Sequence, residues 1–168
     1  GASRIFPEAW KNFINQIDES KRDNLMHAYH EIFVGSDKPK SLNAAIAWSK
    51  WEAACSSIDY SPERVEEFSN PEFALAFALI ENHYFMNAGF LNDENQLLDG
   101  VEKIRSIPTI IVQGRYDIVC PAGTAYELSE RWPEASLVIA PFSGHSAFEK
   151  EITHQLILAT EKFGGVNI

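Results

Sequence analysis

The sequence predicts an α/β chain in two parts: an all-helical part over residues 1–99, and short strands alternating with helices over residues 100–168 that make an incomplete parallel sheet. Three observations carry this. Between Pro7 and Asp99 apolar residues recur at spacings of three and four, with almost no strand alternation. After Gly100 short β-branched runs alternate with longer amphipathic segments. With 168 residues, 45% of them hydrophobic, the chain is long enough to bury one sizeable core, as one domain or two small ones.

In the helical part, Pro7 suits a first helical position ahead of Ala9, Trp10, Phe13, Ile14 and Ile17. Asp18 or Ser20 is the expected cap of the next helix, which carries Leu25, Met26, Tyr29, Ile32 and Phe33 and stops at Gly35. A third helix is expected from about Ser41 to Ser56, and a fourth from about Glu72 to Ala88, ending at Gly89. Asp59 to Asn70, with Glu63, Glu66 and Glu67 and prolines nearby, reads as a solvated connection with one helical turn. The second part gives a strand at Thr109 to Val112, a helix at Gly123 to Trp132, a strand at Ser136 to Ile139 and a helix at Phe148 to Phe163. The run Ile110 to Val112 suits a parallel strand buried on both faces. Two parallel strands by themselves leave edges unpaired, so either more chain or a partner subunit is expected, with self-association of the isolated chain or partial disorder after Gly100.

Composition excludes some classes of function. Fourteen Lys and Arg against 24 Asp and Glu give a net charge of −10, the wrong sign for nucleic acid or an anionic membrane surface. No apolar run is long enough for a spanning helix, so a soluble protein is expected. Cys55 and Cys120 have neither a disulfide framework nor zinc-ligand spacing, which makes the cytoplasm the expected compartment; no metal and no cofactor is assigned. Acid is concentrated in residues 1–99, with 16 acidic against 8 basic side chains, a field that would favour cationic ligands but serves solubility equally well.

The chemistry gathers at the strand ends. The first strand runs into Gly114-Arg115-Tyr116-Asp117 and the second into Ser143-Gly144-His145, placing an acid and a histidine just past the carboxyl ends of neighbouring strands. A carboxylate on one imidazole nitrogen leaves the other as a base toward a nucleophile. On spacing alone Asp117 equally suits a turn cap, and His145 a surface loop. In the helical part, Glu52 falls on the stripe of Ala44, Ala45, Trp48 and Cys55, and Glu81 on that of Phe73, Phe77, Tyr84 and Ala88. Carboxylates on apolar faces call for a cation or donors, so two facing one cavity would suit an ammonium; a nearby Lys or Arg, or solvent at a helix edge, would satisfy them as well.

Gly114-Arg115-Tyr116-Asp117 with Cys120-Pro121, Gly144-His145-Ser146-Ala147-Phe148-Glu149, Trp48-Ser49-Lys50-Trp51-Glu52 and Glu81-Asn82-His83-Tyr84-Phe85 together resemble the proline iminopeptidases. These are serine peptidases of the α/β-hydrolase superfamily that remove an amino-terminal proline. The resemblance spans essentially the whole chain. It implies that residues 100–168 are the carboxyl-terminal segment of the hydrolase core and residues 1–99 a helical cap over the active site. It further implies Asp117 and His145 as acid and base, Glu52 and Glu81 as holders of the substrate's amino group, and peptides with amino-terminal proline as substrates. The family's Gly-x-Ser-x-Gly elbow and Gly-rich oxyanion loop, which precede the cap, are not in this sequence. Gly144-His145-Ser146-Ala147-Phe148 has Phe in place of the second Gly, so Ser146 is a poor nucleophile. The implied partner is therefore an amino-terminal segment of the hydrolase core, without which the chain is expected to be inactive. The other reading of the same residues is a non-catalytic helical binding module, or a truncated product, with a vestigial hydrolase tail.

Among the remaining residues, Trp48 and Tyr84 could wall a pyrrolidine ring, while Trp10, Trp51 and Trp132 suit packing. His83 could line the pocket; His27, His30 and His154 are expected at the surface. Cys120 is given no catalytic role, because no neighbour would lower its thiol pKa.

Overall fold

A computed structural model describes residues 1–165. The chain is helix-rich, with a small parallel two-stranded sheet, as suits a partial α/β fold. It forms two compact units, one of Gly1–Cys55 and Tyr60–Leu91, the other of Ser56–Asp59 and the chain from Asn92 onward.

The first unit contains helices α1 (Pro7–Ile14), α2 (Leu25–Val34), α3 (Lys38–Cys55), α4 (Pro62–Glu67) and α5 (Pro71–Met86). Their starts are set by side chains that accept otherwise orphaned backbone N–H groups. Asn24 accepts from His27 at the head of α2, Asp37 from Lys40 at the head of α3, Ser61 from Arg64 before α4, and Asn70 from Glu72 and Phe73 before α5. Asn24, rather than Asp18 or Ser20, caps α2, because Glu19–Asn24 forms a 3₁₀ segment of its own and delays the helix. Helix α3 begins three residues before the expected Ser41, since Pro39 lies in the first turn, where a missing N–H costs nothing.

The core of this unit is aromatic. Phe13 stacks on Tyr29 at 4.6 Å between centroids, and Trp48 meets Tyr29 edge-on at 5.1 Å. Tyr29 is fully buried and donates its hydroxyl to the Phe13 carbonyl at 2.8 Å; burial pushes its pKa far above the ordinary phenol value. Alanines at Ala44, Ala45, Ala74 and Ala78 are buried, which lets α3 and α5 approach closely. The buried line of α5 is Ala74–Ala78–Asn82, so the stripe of Phe73 and Tyr84 read from periodicity lies beside it and stays exposed. His30 is not a surface residue: it is half-buried, with Nδ1 3.0 Å from Asn82 Oδ1, while Asn82 Nδ2 donates to the Met26 carbonyl. Beyond α5, Ala88, Gly89 and Phe90 all have φ between 49° and 64°, a left-handed turn in which only Gly89 is free of strain.

The second unit holds a short helix α6 (Gln96–Asp99), then β1 (Ile110–Gly114), α7 (Ala122–Arg131), β2 (Ser136–Ala140) and α8 (Lys150–Gly164). The strands pair in parallel with Ile110 opposite Ser136 and Gly114 opposite Ala140, and α7 and α8 both pack on them. Each strand runs past its expected end, β1 by two residues and β2 by one, because the ladder continues through Gln113, Gly114 and Ala140. Ile110–Gln113 and Leu137–Ile139 are half-buried rather than enclosed on both faces. Among the described residues no helix is long and apolar enough to cross a membrane.

Candidate active site

Both loops that bear candidate catalytic residues leave the carboxyl ends of paired strands. After Gly114 the chain turns sharply, with Tyr116 N–H donating to the Ser143 carbonyl and Arg115 N–H to that of Ala140. Asp117 then folds over its own backbone, Oδ1 accepting from Val119 N–H at 2.9 Å and Cys120 N–H at 2.8 Å. This is the local side-chain turn that makes aspartate common at such positions. Pro141 follows β2, and the start of α8 reaches back to the loop after it: Glu151 in the first turn accepts from Phe142 N–H, and Glu149 at the N-cap from Gly144 N–H. His145 and Ser146 both donate their amides to the Ser56 carbonyl, at 3.1 and 2.7 Å.

These constraints bring His145 Nδ1 to 3.0 Å from Asp117 Oδ2. The Asp117 side chain is 5% exposed and that of His145 39%, an enclosed acid beside a reachable base. A carboxylate can only accept, so Nδ1 carries the proton and Nε2 is left as the acceptor nitrogen. Gln113 Nε2 also reaches Asp117 Oδ2, at 3.2 Å. The one sequence signal of Gln113 is a polar residue closing the apolar run Ile110-Ile111-Val112, four before the acid.

The other candidates lie in the first unit. Trp48, 1% exposed, donates its indole N–H to Glu81 Oε2 at 2.7 Å, so α3 and α5 are joined through a carboxylate. Glu52 is half-buried one helical turn beyond Trp48 on α3. Tyr84, one turn beyond Glu81, is 52% exposed and meets Phe90 edge-on at 5.4 Å. Among the described residues no cluster of three or more His, Cys, Asp or Glu could hold a metal ion.

Comparison with known proteins bears on what this arrangement does. No protein-family model matches the chain. Curated relatives do: it is 48% identical to a protein named proline iminopeptidase from Xanthomonas citri, over 97% of this chain and 52% of that one. The chain is similar to proline iminopeptidases. Others with that name are 47% identical in Xylella fastidiosa (97% of this chain, 52% of the relative) and 45% identical in Arabidopsis thaliana (96% and 43%). The chain thus spans about half the length of the iminopeptidases it matches.

The two thiols should differ sharply in reactivity. Cys55 is buried, and burial, aided by the charge of Glu52, pushes its pKa up to about 12, whereas Cys120 is exposed. Iodoacetamide should therefore label the native chain at Cys120 alone, as read by peptide mass mapping. Because the Cys120 backbone N–H binds Asp117, the adduct should also speed hydrogen exchange at Val119 and Cys120. Equal labelling of Cys55, or unchanged exchange, would contradict this account.

Proposed function

We propose that this chain is the carboxyl-terminal part of a proline iminopeptidase, in which residues 1–99 serve as cap and residues 100–168 as the end of an α/β-hydrolase core. The observation that carries the reading is the 3.0 Å contact of His145 Nδ1 with Asp117 Oδ2, on loops from the same end of two parallel strands. Joined to a segment that supplies a serine nucleophile and an oxyanion hole, the pair runs acyl transfer. His145 Nε2 takes the serine proton as the hydroxyl attacks the carbonyl of the terminal proline, then returns it to the departing amine. Water repeats the sequence on the acyl-enzyme. Asp117 fixes the imidazole and stabilises its charged form.

Glu52 and Glu81 are assigned to the proline's cationic amino group, with Trp48 and Tyr84 as walls for its ring. The support is their placement on α3 and α5, two helices that pack together, with the Trp48 indole donating to Glu81 Oε2. Cys55 and Cys120 are not joined in a disulfide, which suits a reducing compartment, and the cytoplasm is the location that goes with this reading.

The test is turnover of proline p-nitroanilide. A polypeptide that carries this chain after a Gly-x-Ser-x-Gly segment should hydrolyse it, and the 168-residue chain alone should not. Turnover by the short chain would place the nucleophile within it and overturn the scheme. In the longer protein, Glu52→Gln and Glu81→Gln should each lower kcat/KM by roughly tenfold to a hundredfold, the loss of one charge-assisted hydrogen bond. The double change should be less than additive, since both act on one ammonium. Glutamine at position 81 keeps an acceptor for the Trp48 indole, so the fold should survive. Unchanged kcat/KM in both variants would make the glutamates purely structural.

A further inference from the structure

We propose that Gln113 is a positioning residue for the Asp117–His145 pair: its side-chain amide closes the acid loop and ties the Oδ2 edge of the Asp117 carboxylate to the strand. Within the functional reading above, on which this rests, it is what keeps Oδ2 aimed at the imidazole. Gln113 Nε2 lies 3.1 Å from the Gly114 carbonyl, 3.2 Å from Asp117 Oδ2 and 3.2 Å from the Cys120 carbonyl. All three are acceptors only, so the amide nitrogen must face them; a flipped amide would set its oxygen against three others. Two N–H groups are thus shared among three acceptors. Gly114 ends β1 and Cys120 lies on the far side of the turn, so one side chain ties the two ends of the loop that carries the acid.

The rest of the carboxylate's surroundings show why this matters. Val119 and Cys120 N–H groups hold Oδ1, but both belong to the loop that bears the acid, so they fix the carboxylate relative to that loop and not to the sheet. A donor at Oδ2 that comes from the strand ties the carboxylate to the sheet before the imidazole arrives. His145 cannot do this alone, because its ring is itself to be oriented by the same oxygen. Gln113 lies on the strand, a stiffer support than either loop.

The test is the tautomer of His145 in the 168-residue chain, read from its ring nitrogens by ¹H–¹⁵N correlation with the imidazole neutral, its signals assigned by their loss in His145→Asn. Wild type should be mainly Nδ1–H. Gln113→Met, of similar length without a donor, and Gln113→Glu, of the same shape with oxygens facing oxygens, should each lower the ratio of Nδ1–H to Nε2–H by roughly threefold or more. The amide fingerprint of both strands should be kept. An unchanged ratio in the folded variants overturns the proposal. Should both variants unfold, the side-chain amide of Gln113 in wild type decides: exchange slowed at least about tenfold against that of glutamine in an unstructured peptide supports the role, and a free-amide rate overturns it. A wild type that is mainly Nε2–H would sink the acid–histidine pair and this proposal with it. No substrate enters the measurement, so a longer protein without peptidase activity would defeat the functional reading and leave this result standing.

Discussion

Replacing His145 by alanine in a protein that carries the whole hydrolase should lower kcat for proline p-nitroanilide by roughly 10⁴-fold or more, with KM little changed. In the scheme proposed here no other group near the acid moves the proton: Gln113 and the Val119 and Cys120 amides are donors that stay on Asp117. Asp117→Asn should cost nearly as much, roughly 10⁴-fold, for a different reason. With the asparagine oxygen on the Val119 and Cys120 amides, its NH₂ faces His145 Nδ1 and Gln113 Nε2. The imidazole must then accept at Nδ1 and carry its proton on Nε2, where it cannot serve as a base. Circular dichroism should find both variants folded. Activity within tenfold of wild type in either would remove that residue from the machinery.

Gly114→Ala should be the most damaging single methyl in the second unit. A Cβ at this position would lie 1.9 Å from the Gly144 carbonyl oxygen and 2.7 Å from that of Ser143. Both are backbone atoms of the loop that bears His145, with no flexible side-chain end to yield. The expected loss is about 3 kcal/mol or more, or a midpoint lower by roughly 10 °C in the thermal melt of the chain. The contrast is Gly123→Ala in α7, where nothing lies within 4 Å and the change should be mild or stabilising. Equal melting temperatures for the two variants would mean that the β1 end and the histidine loop separate without cost.

The contrast between these two glycines also shows what was legible in the sequence. Helix and strand types followed from periodicity because burial imposes it: Phe13, Ile17, Tyr29 and Phe33 are in the core, and Ile110 to Val112 are a strand. Boundaries failed where a local competitor intervened, the 3₁₀ turn ending at Asn24 and the first-turn Pro39 being the cases. The face of α5 was misread because small residues bury it: hydrophobicity points to Phe73 and Tyr84, but close approach to α3 selects Ala74 and Ala78. The adjacency of Asp117 and His145 was legible because both follow strand ends at one edge of a sheet. The Ser56 carbonyl and the closeness of Gly114 to Gly144 were not, since each depends on a contact between segments far apart in sequence, and Gln113 was not, since its contacts are made across an irregular turn; none of these leaves a periodic trace.

The tetrapeptide Ser56–Asp59 has a practical consequence for anyone who wishes to cut this protein into parts. It follows α3 directly, yet it belongs with the sheet, and the Ser56 carbonyl accepts the amides of His145 and Ser146. A truncation starting at Asn92 therefore looks like a clean excision of the second unit and is not one. It discards the acceptor of two neighbouring N–H groups in the histidine loop, at about 1–3 kcal/mol for each that stays buried without another partner. The division between the units is interlaced rather than linear: one blade stroke along the sequence cannot follow it, and a faithful dissection must graft residues 56–59 back onto the fragment.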